Sequence, residues 1–266
     1  MTSSTGPGPT TQPAKPTDAG AKEASPAAAK APVAAEPYDD RPGAVWKMAQ
    51  VLVRVWGSLW FDLKVFGIQN VPRTGGALIV SNHQSFLDPA LLGARLPRPM
   101  SYMAKSELFE NRLLSWLIRS LGAFPVRQGA GDIRAIKETV HRLQEGRILN
   151  IFPEGSRTET GQIMPMEPGA ALVVRKAGVP IVPAAIIGSY EAWPKGKKIF
   201  RRHPIRIAYG PPLDVKGMKA DPIIRLIDAA IRKLYDDLES GRMNDRVAKE
   251  PWNAALIPSP PGRGPG

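Results

Sequence analysis

The sequence predicts an α/β fold: a largely parallel central sheet flanked by helices, preceded by an amphipathic N-terminal helical segment. Three observations carry this reading. From residue 77 onward, short apolar runs of strand length alternate with stretches of helical periodicity. Residues 44–66 gather apolar side chains on one side at a spacing of about 100° per residue. Both chain ends differ in composition from everything between them. With 266 residues, 43% of them hydrophobic, the chain can bury one sizeable core.

Residues 1–42 hold ten Ala and eight Pro and almost no large apolar side chain, so they read as a disordered tail. A domain is expected over residues 43–240, and a second disordered tail over 241–266, which ends in Pro-Ser-Pro-Pro-Gly-Arg-Gly-Pro-Gly. The spacing predicts a helix over 44–66. Val45, Met48, Leu52, Val55, Trp56, Leu59, Trp60, Leu63 and Phe66 fall on one side, and Lys47, Gln50, Arg54, Ser58 and Lys64 on the other. Tryptophans opposite basic residues suit a helix lying in a membrane interface; the competing reading packs the apolar side on the domain's own core.

Ala77 to Ser81 reads as the first strand and residues 88–95 as a helix. Met100 to Ala104 reads as a strand and Asn111 to Leu121 as a helix, with Trp116 expected in the core. Ala123 to Val126 is a short strand. Asp132 to Glu145 is a helix opened by Asp132 near its N-cap and stopped by Gly146. Ile148 to Phe152 and Ile181 to Ile187 read as strands with a helix, Gly169 to Ala177, between them. Ile205 to Tyr209 is a further strand, and residues 221–239 form a last amphipathic helix. Pro180 and Pro183 argue against a regular ladder at those points of their strand.

The net charge is +12, and the acidic balance of residues 1–42 leaves the rest at +13, with 32 basic against 19 acidic side chains. An anionic partner is implied: nucleic acid, membrane phosphate or a phosphorylated substrate. No recognised nucleic-acid motif accompanies the charge. The absence of cysteine excludes disulfides and thiolate chemistry, and three histidines make a multi-histidine metal cage improbable, so no metal is expected. The N-terminus has no apolar signal core, and no run of about 18 apolar residues reads as a transmembrane helix.

His83 and Asp88, in Asn82-His83-Gln84-Ser85-Phe86-Leu87-Asp88, lie in the turn after the first strand, where open α/β sheets place their chemistry. An imidazole with a carboxylate five positions on can take a proton from an alcohol: the ring is the base, and the carboxylate orients it. Phe152-Pro153-Glu154-Gly155-Ser156-Arg157 follows another strand and has the makings of an anion cradle. Gly155 permits close approach of backbone N–H, Ser156 donates, and Arg157 offers a planar fork for phosphate. Glu154 can accept from a hydroxyl or anchor a basic side chain. Arg127 ends Gly122-Ala123-Phe124-Pro125-Val126-Arg127 just past a third strand. Ser85 has no nucleophile elbow around it and reads as a helix cap.

Together with Val179-Pro180-Ile181-Val182-Pro183, these blocks resemble, in order and spacing, the four blocks of the lysophosphatidic acid (1-acyl-sn-glycerol-3-phosphate) acyltransferase family of glycerophospholipid acyltransferases. Order and spacing make the likeness far more specific than any single block, His-x4-Asp included; Met103-Ala104-Lys105-Ser106-Glu107-Leu108-Phe109 adds to it. The resemblance spans roughly residues 44 to 240. It implies transfer of a fatty acyl group from a thioester, acyl-CoA or acyl carrier protein, to the sn-2 hydroxyl of lysophosphatidic acid, giving phosphatidic acid, with no cofactor. His83 would be general base, oriented by Asp88. Arg127, Glu154, Gly155, Ser156, Arg157 and Lys105 would bind substrate. The expected partners are lysophospholipid, acyl thioester and a membrane surface, with acyl carrier protein as a further candidate and no nucleic acid. The expected location is the cytoplasmic face of a membrane, peripheral or monotopic. Other lysolipid acceptors, a lipid hydrolase and a non-enzymatic membrane-binding module are the rival readings.

Overall fold

The computed structural model describes residues 1–2, 43–126 and 133–249. Arg127, Asp132 and most of both expected tails lie outside these residues. Chain contacts separate Met1–Tyr38 from Asp39–Gly266, and every element below belongs to the second unit.

Seven strands form one sheet: β1 (Lys64–Phe66), β2 (Ala77–Ser81), β3 (Met100–Lys105), β4 (Ala123–Val126), β5 (Ile148–Ile151), β6 (Ile181–Ile187) and β7 (Arg206–Tyr209). Their spatial order is β1-β7-β6-β2-β5-β3-β4. Adjacent strands are parallel except β6 and β7. The helices are α1 (Ala44–Phe61), α2 (Asp88–Gly93), α3 (Arg112–Ser120), α4 (Ile133–Gln144), α5 (Pro168–Ala177), α6 (Ser189–Ala192) and α7 (Ala220–Glu239).

Side chains along β2 alternate between two apolar layers, as a strand buried on both faces requires. Leu78 and Val80 join Val174 of α5 and Ile227 of α7. Ala77 and Ile79 join Leu91 and Leu92 of α2 and Phe61 of α1. The chain leaves the neighbouring strands β2 and β5 in opposite directions, towards β3 and back towards β6. Their C-terminal ends therefore flank a topological switch point, where open α/β sheets form a crevice.

Several expectations need revision. The helix expected over 44–66 stops at Phe61, because Asp62 takes a left-handed conformation (φ 44°). Arg206 of β7 pairs with Asp62 at 2.5 Å and holds its carboxyl below the usual carboxylate range. The next residues become β1 by pairing with β7. β6 nevertheless lies inside the sheet: Pro180 precedes it, and only Pro183 falls within it. The Pro183 carbonyl accepts from Gly210 N–H at 2.8 Å, so its missing N–H falls where β7 has ended. Residues 241–249 leave the composition-based tail and pack on the domain: Met243 and Ala248 are buried, and Asn70 Nδ2 donates to the Ala248 carbonyl at 2.6 Å.

Two amphipathic helices, α1 and α3, also turn apolar side chains outward. Gln50 of α1 faces the domain and donates to the Gly93 and Leu96 carbonyls, while Val53 and Trp56 pack on the core. Met48, Leu52, Val55 and Leu59 remain exposed, Leu59 at 72%. On α3 no residue is buried, and Trp116, expected in the core, is 57% exposed. Among the described residues, no helix is long and apolar enough to cross a membrane.

Candidate active site

The turn after β2 is pinned before it reaches the histidine. Asn82 is buried, and its side-chain amide makes two bonds to one residue of β6. Nδ2 donates to the Ile186 carbonyl and Oδ1 accepts from Ile186 N–H, both at 2.9 Å. Gln84, also buried, donates to the Gly161 carbonyl at 2.8 Å. The ends of the turn are thus tied to distant backbone, which holds His83 between them.

His83 Nδ1 lies 2.9 Å from Asp88 Oδ2. The same oxygen accepts the N–H groups of Gln84 at 2.6 Å and Ser85 at 2.7 Å. Asp88 is fully buried as the first residue of α2, so one short helix fixes the carboxylate that folds the turn back on itself. With an acceptor at Nδ1, the neutral ring carries its proton there and presents a bare Nε2. The ring stacks on Phe152, centroids 3.8 Å apart and planes 12° apart, which sets its tilt. Ser85 donates its hydroxyl to the Trp193 carbonyl at 2.8 Å, which ties the turn to the end of α6. Its Oγ accepts Leu87 N–H at 3.4 Å, so the expected cap bond falls on the turn just ahead of α2, whose own N-cap is Leu87.

The turn after β5 grips the His83 peptide from both sides. Glu154 is 4% exposed: Oε1 accepts His83 N–H and Oε2 accepts Met164 N–H, each at 2.7 Å. Burial pushes the Glu154 carboxyl above its ordinary value, with those two N–H groups and the nearby His83 opposing it. Thr158 N–H donates to the His83 carbonyl at 3.0 Å. Gly155 adopts φ 69°, and a Cβ there would meet Glu167 Cγ at 3.1 Å. Its N–H is spent on the Phe152 carbonyl at 3.0 Å, so it closes the turn and is not left for a ligand. Ser156 is exposed. Arg157 is half-buried, its guanidinium 5.3 Å over the exposed ring of Phe86.

The structure thus brings together His83, Asp88 and Glu154, with Gly155, Ser156 and Arg157 on the turn adjoining them. Lys105 is exposed at the C-terminal end of β3, on the same edge of the sheet. Arg127 follows β4 and lies outside the described residues. Asn82, Gln84 and Phe152 are not among the site residues read from sequence, although all three stand inside the quoted blocks. The one legible signal for Asn82 is an amide directly after an apolar strand; its burial shows only in the fold. Among the described residues, no group of three or more His, Asp or Glu is disposed to hold a metal ion.

The Acyltransferase family model matches residues 62–187. The 1-acyl-sn-glycerol-3-phosphate acyltransferase of Bacillus subtilis is 32% identical over 200 residues, covering 74% of this chain and 98% of the relative. The chain belongs to this acyltransferase family. A lyso-ornithine lipid O-acyltransferase of Pseudomonas aeruginosa is also 32% identical, over 214 residues that cover 72% of this chain and 81% of the relative. The crystal structure of the 1-acyl-sn-glycerophosphate (LPA) acyltransferase PlsC from Thermotoga maritima superposes with a TM-score of 0.65 at 27% identity, covering 74% of this chain and 78% of that one. The matched region of the acyltransferase opens at the α1 terminus and closes with β6. It therefore contains both turns of the site, while α1 precedes it.

Proposed function

We propose that this glycerolipid acyltransferase moves a fatty acyl group from an acyl thioester, acyl-CoA or acyl carrier protein, to the sn-2 hydroxyl of lysophosphatidic acid at a membrane surface, giving phosphatidic acid. The observation that carries the chemistry is the 2.9 Å contact between His83 Nδ1 and the buried Asp88. Nε2 takes the proton of the acceptor hydroxyl as its oxygen attacks the thioester carbonyl. The C–S bond then breaks, and the imidazolium returns the proton to the departing thiolate. Asp88 keeps the proton of the resting ring on Nδ1 and steadies the imidazolium. Arg157 would meet the acceptor phosphate, with Ser156 beside it, and Arg127 and Lys105 are proposed for the same anion from the next strand ends. The relative that acts on a lyso-ornithine lipid favours one alternative acceptor class, in which a zwitterionic head group replaces the phosphate.

An apolar cleft between α1 and α2 is lined by Trp46, Val53, Ala90, Met100 and Leu121. It runs along the helix that begins with Asp88, and we assign it to part of an acyl chain.

The test incubates purified protein with a labelled acyl thioester and a panel of lysolipids. The expected product is phosphatidic acid, absent with His83→Ala, whose circular dichroism stays that of the parent. Free fatty acid without acylated product would point to a hydrolase, and acyl transfer by folded His83→Ala would end the general-base assignment.

A further inference from the structure

The proposed chemistry leaves one strongly charged segment unused. Residues 195–202, between α6 and β7, read Lys-Gly-Lys-Lys-Ile-Phe-Arg-Arg: five basic side chains and no acidic one. Lys195 pairs with Glu159 at 2.7 Å, and Arg202 acts on Asp62. Among the described residues, no ion pair engages Lys197, Lys198 or Arg201. The loop is nevertheless built. Lys197 N–H closes a turn on the Pro194 carbonyl, Trp193 Nε1 donates to the Lys197 carbonyl at 2.6 Å, and Arg201 N–H returns to the Ala192 carbonyl at 2.8 Å.

Inside this charge run, Ile199 is 82% exposed. The next residue, Phe200, turns inward and meets Trp60 of α1 at 6.2 Å and Trp193 at 5.8 Å. Trp193 lies 6.0 Å from Phe86, the ring beneath Arg157. The basic loop is therefore continuous on one side with the exposed apolar face of α1, and on the other with the rim of the candidate active site.

We propose that the loop 193–204 docks the protein on an anionic phospholipid bilayer. Lys197, Lys198 and Arg201 meet lipid phosphates, and Ile199 enters the acyl boundary beside Trp60 and Leu59 of α1. A soluble acidic protein would satisfy the charges but gives no reason for a bare isoleucine among them, continuous with an apolar helix face. Acidic protein is therefore the weaker occupant. The inference rests on the membrane reading above and adds the lipid charge and the docking residues.

The test floats the full chain with phosphatidylcholine vesicles, with and without phosphatidylglycerol. The expected result is binding that rises with phosphatidylglycerol and weakens as salt screens it. Lys197→Glu, Lys198→Glu and Arg201→Glu together should lower partition onto the anionic vesicles by at least about tenfold, since each basic residue is worth roughly fivefold near such a surface. Ile199→Asp should lower it less, and it probes the same surface if the triple variant does not fold. Acyl transfer to a detergent-dispersed acceptor should stay near that of the parent in both variants. That arm separates failure of docking from failure of the acyltransferase reading, because flotation needs no turnover. Parent-like flotation of the folded triple variant overturns the proposal. So does a triple variant that floats normally but loses transfer from acyl carrier protein alone, which would make the loop a carrier-protein surface.

Discussion

The turns after β2 and β5 are neighbours, and each contributes one buried carboxylate, yet the two carboxylates are wired differently. Asp88 serves its own turn: one oxygen takes the His83 ring and the N–H groups of Gln84 and Ser85. Glu154 serves other segments, with one oxygen on His83 N–H and the other on Met164 N–H. The first carboxylate touches the ring of the proposed base; the second reaches that residue only through its peptide N–H. In the proposed mechanism, chemistry and positioning are divided between two acids that sequence alone places in one site.

The largest expected effect comes from breaking the first. Asp88→Asn keeps the volume but leaves one carbonyl oxygen where three donors converge, and it can offer an amide N–H to Nδ1. The ring is then free to carry its proton on Nε2, the wrong nitrogen for a base. We expect kcat to fall by roughly 10²- to 10⁴-fold with the fold retained. Thiol release from the acyl thioester, followed beside far-UV circular dichroism, measures both. A variant within a few-fold of the parent would remove Asp88 from the chemistry.

The contrast also explains what was legible. His83 and Asp88 are five residues apart on one turn, so their pairing is local and their spacing displays it. Likewise β2, β4 and β6 are apolar runs bounded by turn residues, and their bounds match expectation. What escaped depends on distant partners. Asn82 bonds backbone 104 residues away, and Gln84 backbone 77 residues away. β1 continues the helical spacing of α1, and only its pairing with β7 and the Arg206–Asp62 contact turn it into a strand. The reversal of β7 against β6 follows no local rule. The outward faces of α1 and α3 share this origin: periodicity marks an apolar side but not the direction in which it points.

A smaller loss should follow from loosening the first turn at its root. Asn82→Ala leaves both the N–H and the carbonyl of buried Ile186 without their partners. Stability should drop by about 2 kcal/mol, in the range for orphaned buried polar groups. Urea denaturation followed by tryptophan fluorescence measures it. An unchanged midpoint would mean that β6 holds the turn without this amide.

The smallest effect, and the one that separates the two acids most cleanly, belongs to Glu154→Gln. If Glu154 acts only through the His83 peptide, kcat should fall about tenfold while the acceptor KM stays near that of the parent; a rise in KM alone would instead make it a substrate contact. Stability gives a second readout. Burial raises the Glu154 carboxyl above the ordinary glutamate value of 4.5, so the native state holds this proton more tightly than the unfolded chain. By linkage, its contribution is fully present below that ordinary value and is lost as pH rises through the raised native one. Glutamine does not titrate. The stability of the parent relative to Glu154→Gln should therefore decline with rising pH across that window and level off above it. A difference that grows with pH there would mean that the two N–H groups, and not burial, govern this carboxylate.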